Sequence, residues 1–348
     1  MRLKPLICIL AVLAAPPVAA KSPAVDYGAI NMHVLETHLR PRYQAVVAAA
    51  DKLVPVVEAL CKAPDAGHLE TARAAFHAAS DAWQAIEHIR TGPAAGLNAQ
   101  ARIHFWPDER DRVGKHLRGL LSSGDASRLD AGGFAQGSVA VQGLPALERL
   151  LFEDRALEAL KAAGAPVTPC KVAHAIAVNM DGLARDLAKA WGGNPLAAGD
   201  AKKATADLFS NLAGGLGAIA DMKIGAPLGG KTGRTWPKKA EQWRSSRSLR
   251  NIDINLRALR DLYVAMADGA GPRFKDTPGD RQNRYQFDSL IREARNISPS
   301  MRAALDDETG RLRLKVAAGS LRDMRDLVIG SMTGPLGLIL GFNSFDGD

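Results

Sequence analysis

The sequence predicts an all-α protein made of two related helical bundles with little or no strand. Three observations predict it. Apolar residues recur in alternating steps of three and four, in Leu69, Ala72, Phe76, Ala79, Trp83 and Ile86 and again in Leu249, Ile252, Leu256, Leu259, Tyr263 and Met266. That spacing gathers them on one face of a helix. No segment sustains the apolar–polar alternation of a half-buried strand. Aromatic residues make up only 5% of the chain and β-branched runs are few, which argues against a sandwich or a nucleotide-binding sheet. With 348 residues, 47% of them hydrophobic and 24% charged, the chain can bury one large core or two medium ones.

Taken in order, the chain opens with Arg2 and Lys4, an apolar run from Leu6 to Ala15, and small residues at Val18-Ala19-Ala20. That pattern reads as a secretory signal peptide over residues 1–20, too short to persist as a membrane anchor. The expected location is the periplasm, with no transmembrane anchor in the mature chain. Losing Arg2 and Lys4 lowers the net charge from +8 to +6. Cys8 leaves with the signal. Cys61 and Cys170 remain, either as one disulfide of an oxidising compartment or as two buried thiols.

Besides the two stripes, helical spacing recurs near 33–61, 109–121, 144–162, 170–191, 200–222, 284–296 and 300–332. The breaks at 91–97, 122–137, 192–199, 225–237 and 268–280 are rich in Pro and Gly. Asp65 reads as an N-cap, and Pro145 and Pro169 fall where a first helical turn tolerates proline. An N-terminal bundle over 21–165 and a C-terminal one over 166–348 account for these helices. One stripe in each half hints at an internal duplication. The stretch from Leu336 to Gly341 is greasy but short and glycine-broken, so it reads as core or interface.

Gly225 to Thr232 matches the phosphate-loop pattern G-x-x-x-x-G-K-[ST] by letter. That chemistry needs a strand before the loop and a helix after it. Here Leu208 to Met222 reads as helix, and Pro237 comes soon after, so the match is set aside. Residues 231–250 carry Lys231, Arg234, Lys238, Lys239, Arg244, Arg247 and Arg250 against Glu241 alone. For an exported chain this is an ordinary basic loop or a face for an anionic partner, membrane headgroups included, rather than a nucleic-acid site.

Three segments carry a family resemblance: Arg102-Ile-His-Phe-Trp-Pro-Asp-Glu-Arg110, Gly143-Leu-Pro-Ala-Leu-Glu-Arg-Leu-Leu-Phe152 and Trp243-Arg-Ser-Ser-Arg-Ser-Leu-Arg-Asn-Ile252. Together with the closing Leu340–Asp348 stretch they resemble the imelysin-like family of bacterial envelope proteins, over a domain spanning about 43–335. The resemblance implies two related helical bundles, a site near their junction, a metallopeptidase activity that gave the family its name, and a link to iron uptake. The family signature is G-x-H-x-x-E, whose His and Glu share a helix face and can reach one metal ion.

This chain departs from the signature where it matters for a metal. Gly143 and Glu148 match its ends, but Pro145 stands in place of the His, and a peptide-bonded proline has no lone pair to offer. No H-E-x-x-H occurs either. The weak metal candidates are Glu148, Glu87 and His104, and iron or another divalent ion has no intact motif to hold it. The pairs His77/Asp81, His104/Asp108 and His33/His38 are short-spaced but common by chance. Glu87 comes four residues after Trp83 in a W-x-x-x-E pattern that the family shares, so Glu87 and Glu148 are expected to approach, with Arg247 as neutralising partner. Trp106, Gly143, Asn251 and Asp346 complete the candidate binding set. The same residues would equally serve as a buried network fixing helix register, and Gly143 as a plain helix-start glycine.

The residues are compatible with two main functions. One is a non-catalytic envelope protein that binds a small anionic or metal ligand, or another envelope protein, at a polar site between bundles. The other is a metallopeptidase with a non-standard metal site, for example His104 and Asp108 joining Glu148. A third possibility, iron delivery, would use Glu87, Glu148 and Asp346 as hard oxygen ligands.

Overall fold

The computed structural model describes residues 24–230 and 233–338. The segment expected to be a signal peptide, Lys231, Thr232 and Asp346 lie outside them. Among the described residues there is no strand. The long helices are α1 (Tyr27–Val34), α2 (Arg40–Lys62), α3 (Ala66–Gln84), α4 (Arg112–Leu121), α5 (Leu144–Phe152), α6 (Pro169–Gly192), α7 (Ala201–Ala218), α8 (Ser248–Gly269), α9 (Pro278–Arg295) and α10 (Glu308–Leu336). None of these is long and apolar enough to cross a membrane.

Local chemistry sets most of the boundaries. Asp65 accepts from the His68 N–H and starts α3, and Thr168 and Thr277 cap α6 and α9 in the same way. Prolines occupy the first turns of α5, α6 and α9, where the missing N–H would have had no helical partner. The expected 144–162 helix is two, Leu144–Phe152 and Ala156–Leu160, because Arg155 adopts the left-handed conformation between them (φ 60°). The 300–332 segment likewise divides at Asp307, whose carboxylate caps α10. The 284–296 helix starts six residues earlier than its apolar pattern, at Pro278.

The α3 stripe is buried from Leu69 to Ile86, and the α8 stripe from Ile252 to Met266, with Leu249 half-buried at its start. α2 lies along both α3 and α6, and the Tyr43 ring stacks on Trp191 of α6 at 5.6 Å between centroids. α8 packs against α1, α7 and α9. α1, from the start of the chain, thus sits with the C-terminal helices, and α6, beyond residue 165, sits with the N-terminal ones. Cys61 at the end of α2 and Cys170 in the first turn of α6 form a disulfide. Leu336 and Leu338 are buried, and the rest of that stretch, from Ile339, lies outside the described residues.

Two π-helical segments interrupt the α pattern, Leu35–Leu39 between α1 and α2 and Ile219–Gly225 after α7. An extra residue in a turn rotates the rest of the helix about its axis and turns polar side chains inward, which is why such bulges gather at functional places. Each segment here carries one: His38 in the first and Lys223 in the second, both buried. The second also removes any phosphate loop, since Gly225 closes a helical segment rather than a strand.

Candidate functional site

Four separate pieces of chain deliver the polar side chains buried between α3 and α8. Glu87 lies in the turn that continues α3, and Gln84 is the last residue of that helix. His104 lies just past the short helix Ala99–Ile103. Lys223 comes from the π segment, and Glu241 from the loop ahead of α8, whose first turns add Asn251 and Asn255. All are buried.

The Lys223 ammonium is the centre of this cluster. It donates to Gln84 Oε1 (2.9 Å), Asn255 Oδ1 (2.7 Å), Glu241 Oε2 (3.0 Å) and Glu87 Oε1, and lies 2.8 Å from Glu241 Oε1. Burial alone would discharge both partners. For Glu87, burial is outweighed by Lys223 and His104, which together hold its carboxyl well below the usual carboxylate range. For Lys223, burial is outweighed by Glu241 and Glu87, which raise its pKa. Asn251 donates to Glu241 Oε2 (2.8 Å) and Gln242 Oε1 (2.9 Å), and Ser80 of α3 donates to the same Gln242 oxygen (2.8 Å).

His104 borders this cluster. Its Nδ1 is 3.2 Å from Glu87 Oε2 and 3.5 Å from Glu241 Oε1, while its buried Nε2 has no hydrogen-bond partner. Two carboxylates on one side put the proton of a neutral ring on Nδ1 and leave Nε2 its lone pair. The ring lies nearly parallel to Trp106 (15°) and lines a cavity of about 470 Å³. Trp106, Pro145, Glu148, Lys238 and Trp243 line it too. Pro145 and Glu148 share a face of α5, so the wall where the family's His would project carries a pyrrolidine ring.

Glu148 does not meet Glu87. Its Oε1 accepts from the Ser245 N–H (2.9 Å) and hydroxyl (2.7 Å). Burial raises its pKa despite those two bonds and the nearby Arg244 guanidinium. Gly143 explains how α5 and His104 come so close. A Cβ on Gly143 would lie 2.2 Å from the Ile103 carbonyl oxygen and 2.5 Å from that of Arg102, so only glycine lets this backbone pass.

Arg247 is not the neutralising partner of Glu87 or Glu148. Its guanidinium pairs with Asp81 of α3, which Arg250 also reaches at 3.2 Å. Asp81 is part-exposed, so this pair keeps its hydration, whereas the cation that accompanies Glu87 into the interior is Lys223. Asp81 is therefore engaged, and His77 stacks on Phe152 at 5.2 Å rather than sharing a metal with it. Asp108 accepts from the Arg112 and Val113 N–H groups at the start of α4, so it does not join His104. His38 meets His88, not His33: their Nε2 atoms are 2.9 Å apart. Burial comes first in lowering both, His88 to about 3.

Of the expected residues, Glu87, His104 and Asn251 share the cluster, while Trp106 and Glu148 line the cavity beside it. Lys223, Gln84, Glu241, Gln242, Ser245 and Asn255 were missed. Glu241 carried a signal, as the single acid in the basic 231–250 stretch. Lys223 carried a fainter one, a lone cation between Met222 and Ile224.

Glu87, His104 and Glu241 offer ligand atoms within 4.8 Å of one another, a spacing that suits a metal ion. The donors fit but the space does not. An ion at 2.0–2.2 Å from the carboxylate oxygens would coincide with the Lys223 ammonium.

The imelysin family model matches residues 39–328. The fold is similar to that of an imelysin-like protein from Psychrobacter arcticum 273-4, with a TM-score of 0.75 and 20% identity, covering 92% of this chain and 100% of the other. It is also similar to a putative iron-regulated protein A precursor from Parabacteroides distasonis ATCC 8503, with a TM-score of 0.71 and 18% identity, covering 90% and 97%. Iron-regulated protein A of Synechococcus elongatus is 29% identical over 112 residues, 32% of this chain and 28% of that protein's length. With the match running over most of its length, this chain belongs to the imelysin family.

Proposed function

We propose that this chain is an exported, non-catalytic binding protein of the cell envelope, linked to iron uptake, that takes a small anionic ligand into the cavity beside His104. The observation that carries this reading is the cavity's lining. The His104 Nε2, a buried acceptor without a partner, and Glu148, whose pKa burial raises, line it together with Lys238 and Lys239. A carboxylate ligand that also carries a hydroxyl would set its negative oxygens against the two lysines and donate its O–H to the His104 Nε2. Export is supported by the first twenty residues and by the Cys61–Cys170 disulfide, which suits an oxidising compartment. The iron link is supported by the names of the relatives.

Thermal shift with a panel of small carboxylates, citrate included, and of Fe²⁺ and Mn²⁺ tests it. Ligand bound to the native state raises the melting temperature by mass action. A carboxylate that does so for the wild type and not for Glu148→Leu or Lys238→Glu supports the reading; a flat panel refutes it. A metallopeptidase at Glu87, His104 and Glu241 would need Lys223 displaced from between the carboxylates, and chelator-sensitive proteolysis by the purified chain would establish that reading in place of the first.

A further inference from the structure

We propose that the cage of Gln84, Glu87, His104, Glu241 and Asn255 is a divalent-cation site whose cation the chain supplies itself, as the Lys223 ammonium. The inference stands apart from the cavity ligand, since it concerns the buried cluster behind His104.

The donor set is that of a hard-cation site. Two carboxylates and two amide oxygens surround one point, with an imidazole at the edge. Four residues place oxygens around Lys223 Nζ, more acceptors than its three N–H groups can each serve singly. An amine donor that is merely being satisfied would not gather two buried carboxylates, because each costs several kcal/mol to desolvate. The reverse ordering fits better: the carboxylates require a cation, and Lys223 meets that requirement from a π segment that turns it inward.

The consequence is mutual exclusion. With Lys223 in place a metal has no room, and the charges of Glu87 and Glu241 are met by its ammonium together with the Arg90 guanidinium, which both carboxylates influence. Without Lys223 the two carboxylates keep only Arg90 as a nearby cation, and the negative charge left over draws a divalent ion into the vacated place.

The experiment uses the full mature chain with Mn²⁺ as the only added ion. Lys223→Ala is expected to lose stability in chelator and to regain it with one equivalent of Mn²⁺, bound at least tenfold more tightly than by Lys223→Ala/Glu87→Gln. Asp207→Asn, at a surface carboxylate paired with Lys203, is expected in the Lys223→Ala background to leave this uptake unchanged, which assigns the uptake to the cage rather than to acidic side chains at large. Lys223→Ala that takes Mn²⁺ no better than the double variant overturns the proposal. So does a wild-type chain whose Mn²⁺ binding is abolished by Glu87→Gln. Should Lys223→Ala not fold even with Mn²⁺, Lys223→Met is compared with Lys223→Met/Glu87→Gln. Recovery of the fold on removing one negative charge supports the counter-cation role, and equal instability of the two refutes it.

Discussion

Gly143→Ala tests whether the family's signature glycine holds the site together. The added Cβ would stand 2.2 Å from the Ile103 carbonyl oxygen, against an ordinary carbon–oxygen contact of about 3.3–3.6 Å. The Arg102–Ile103 backbone must therefore retreat from α5 by about 1 Å. His104 is the next residue, and its Nδ1 already lies 3.2 and 3.5 Å from the two carboxylates, so that retreat breaks both contacts. Forced overpacking costs about 1–3 kcal/mol, and a hydrogen bond to a charged group about 1.5–3 kcal/mol. The combined loss of about 3–6 kcal/mol corresponds to a fall in melting temperature of about 5–9 °C for a chain of this size. Calorimetry measures it, with Gly119→Ala in α4 as control, because a Cβ there meets nothing within 4 Å. Trp106 fluorescence should change in the first variant, since that ring lies beside His104. A Gly143→Ala chain melting within about 2 °C of wild type, on the same scale, would refute the reasoning.

Two further outcomes are expected. Replacing Cys61 and Cys170 by Ala opens a loop spanning 109 residues, which costs about 4–5 kcal/mol in the chain-entropy model; a lower denaturant midpoint with a steeper slope, from the more expanded unfolded chain, would show it, and two titratable thiols in the native wild type would exclude it. The buried His38–His88 pair stays neutral in the fold while unfolded histidines take up protons below about pH 6.5. Lowered folded pKa values thus mean stability present above pH 6.5 and lost as pH falls toward 3, by about 1.4 kcal/mol per pH unit for each ring. Chemical denaturation from pH 7 to 4 should be visibly flatter in His38→Leu/His88→Leu, and equal slopes would contradict the pairing.

The helices were legible because the core is read from one face at a time. Leu69 to Ile86 alternates by three and four and is buried as that spacing requires. Asp65, Pro145 and Pro169 marked starts that the backbone keeps. The site was legible only where a residue stands out within its own segment, as Glu87 does after Trp83. Lys223 escaped because a π segment breaks the period that would have placed it, and a helical pattern predicts a cation there to face water. Arg247 misled for the same reason in reverse: charge complementarity alone does not say which acid lies nearest, and Asp81 does so on the facing helix. His104 and Glu148 were named without their partners, since Ser245 and Glu241 sit in a loop whose path no period describes. Gln242 and Ser246, with φ of 46° and 58°, fold that loop back on itself.

The crossed placement of α1 and α6 bears on how the molecule can move. α1 stays with α8 and α6 with α2, and the two groups are joined by the unbroken helical run from α1 through Leu35–Leu39 into α2 and by the Gln84–Asn255 hydrogen bonds between α3 and α8. A clamshell opening of the kind that swallows bulky cargo would have to bend that run and break those buried bonds. The chamber beside Trp106 is thus framed by parts that hold their spacing.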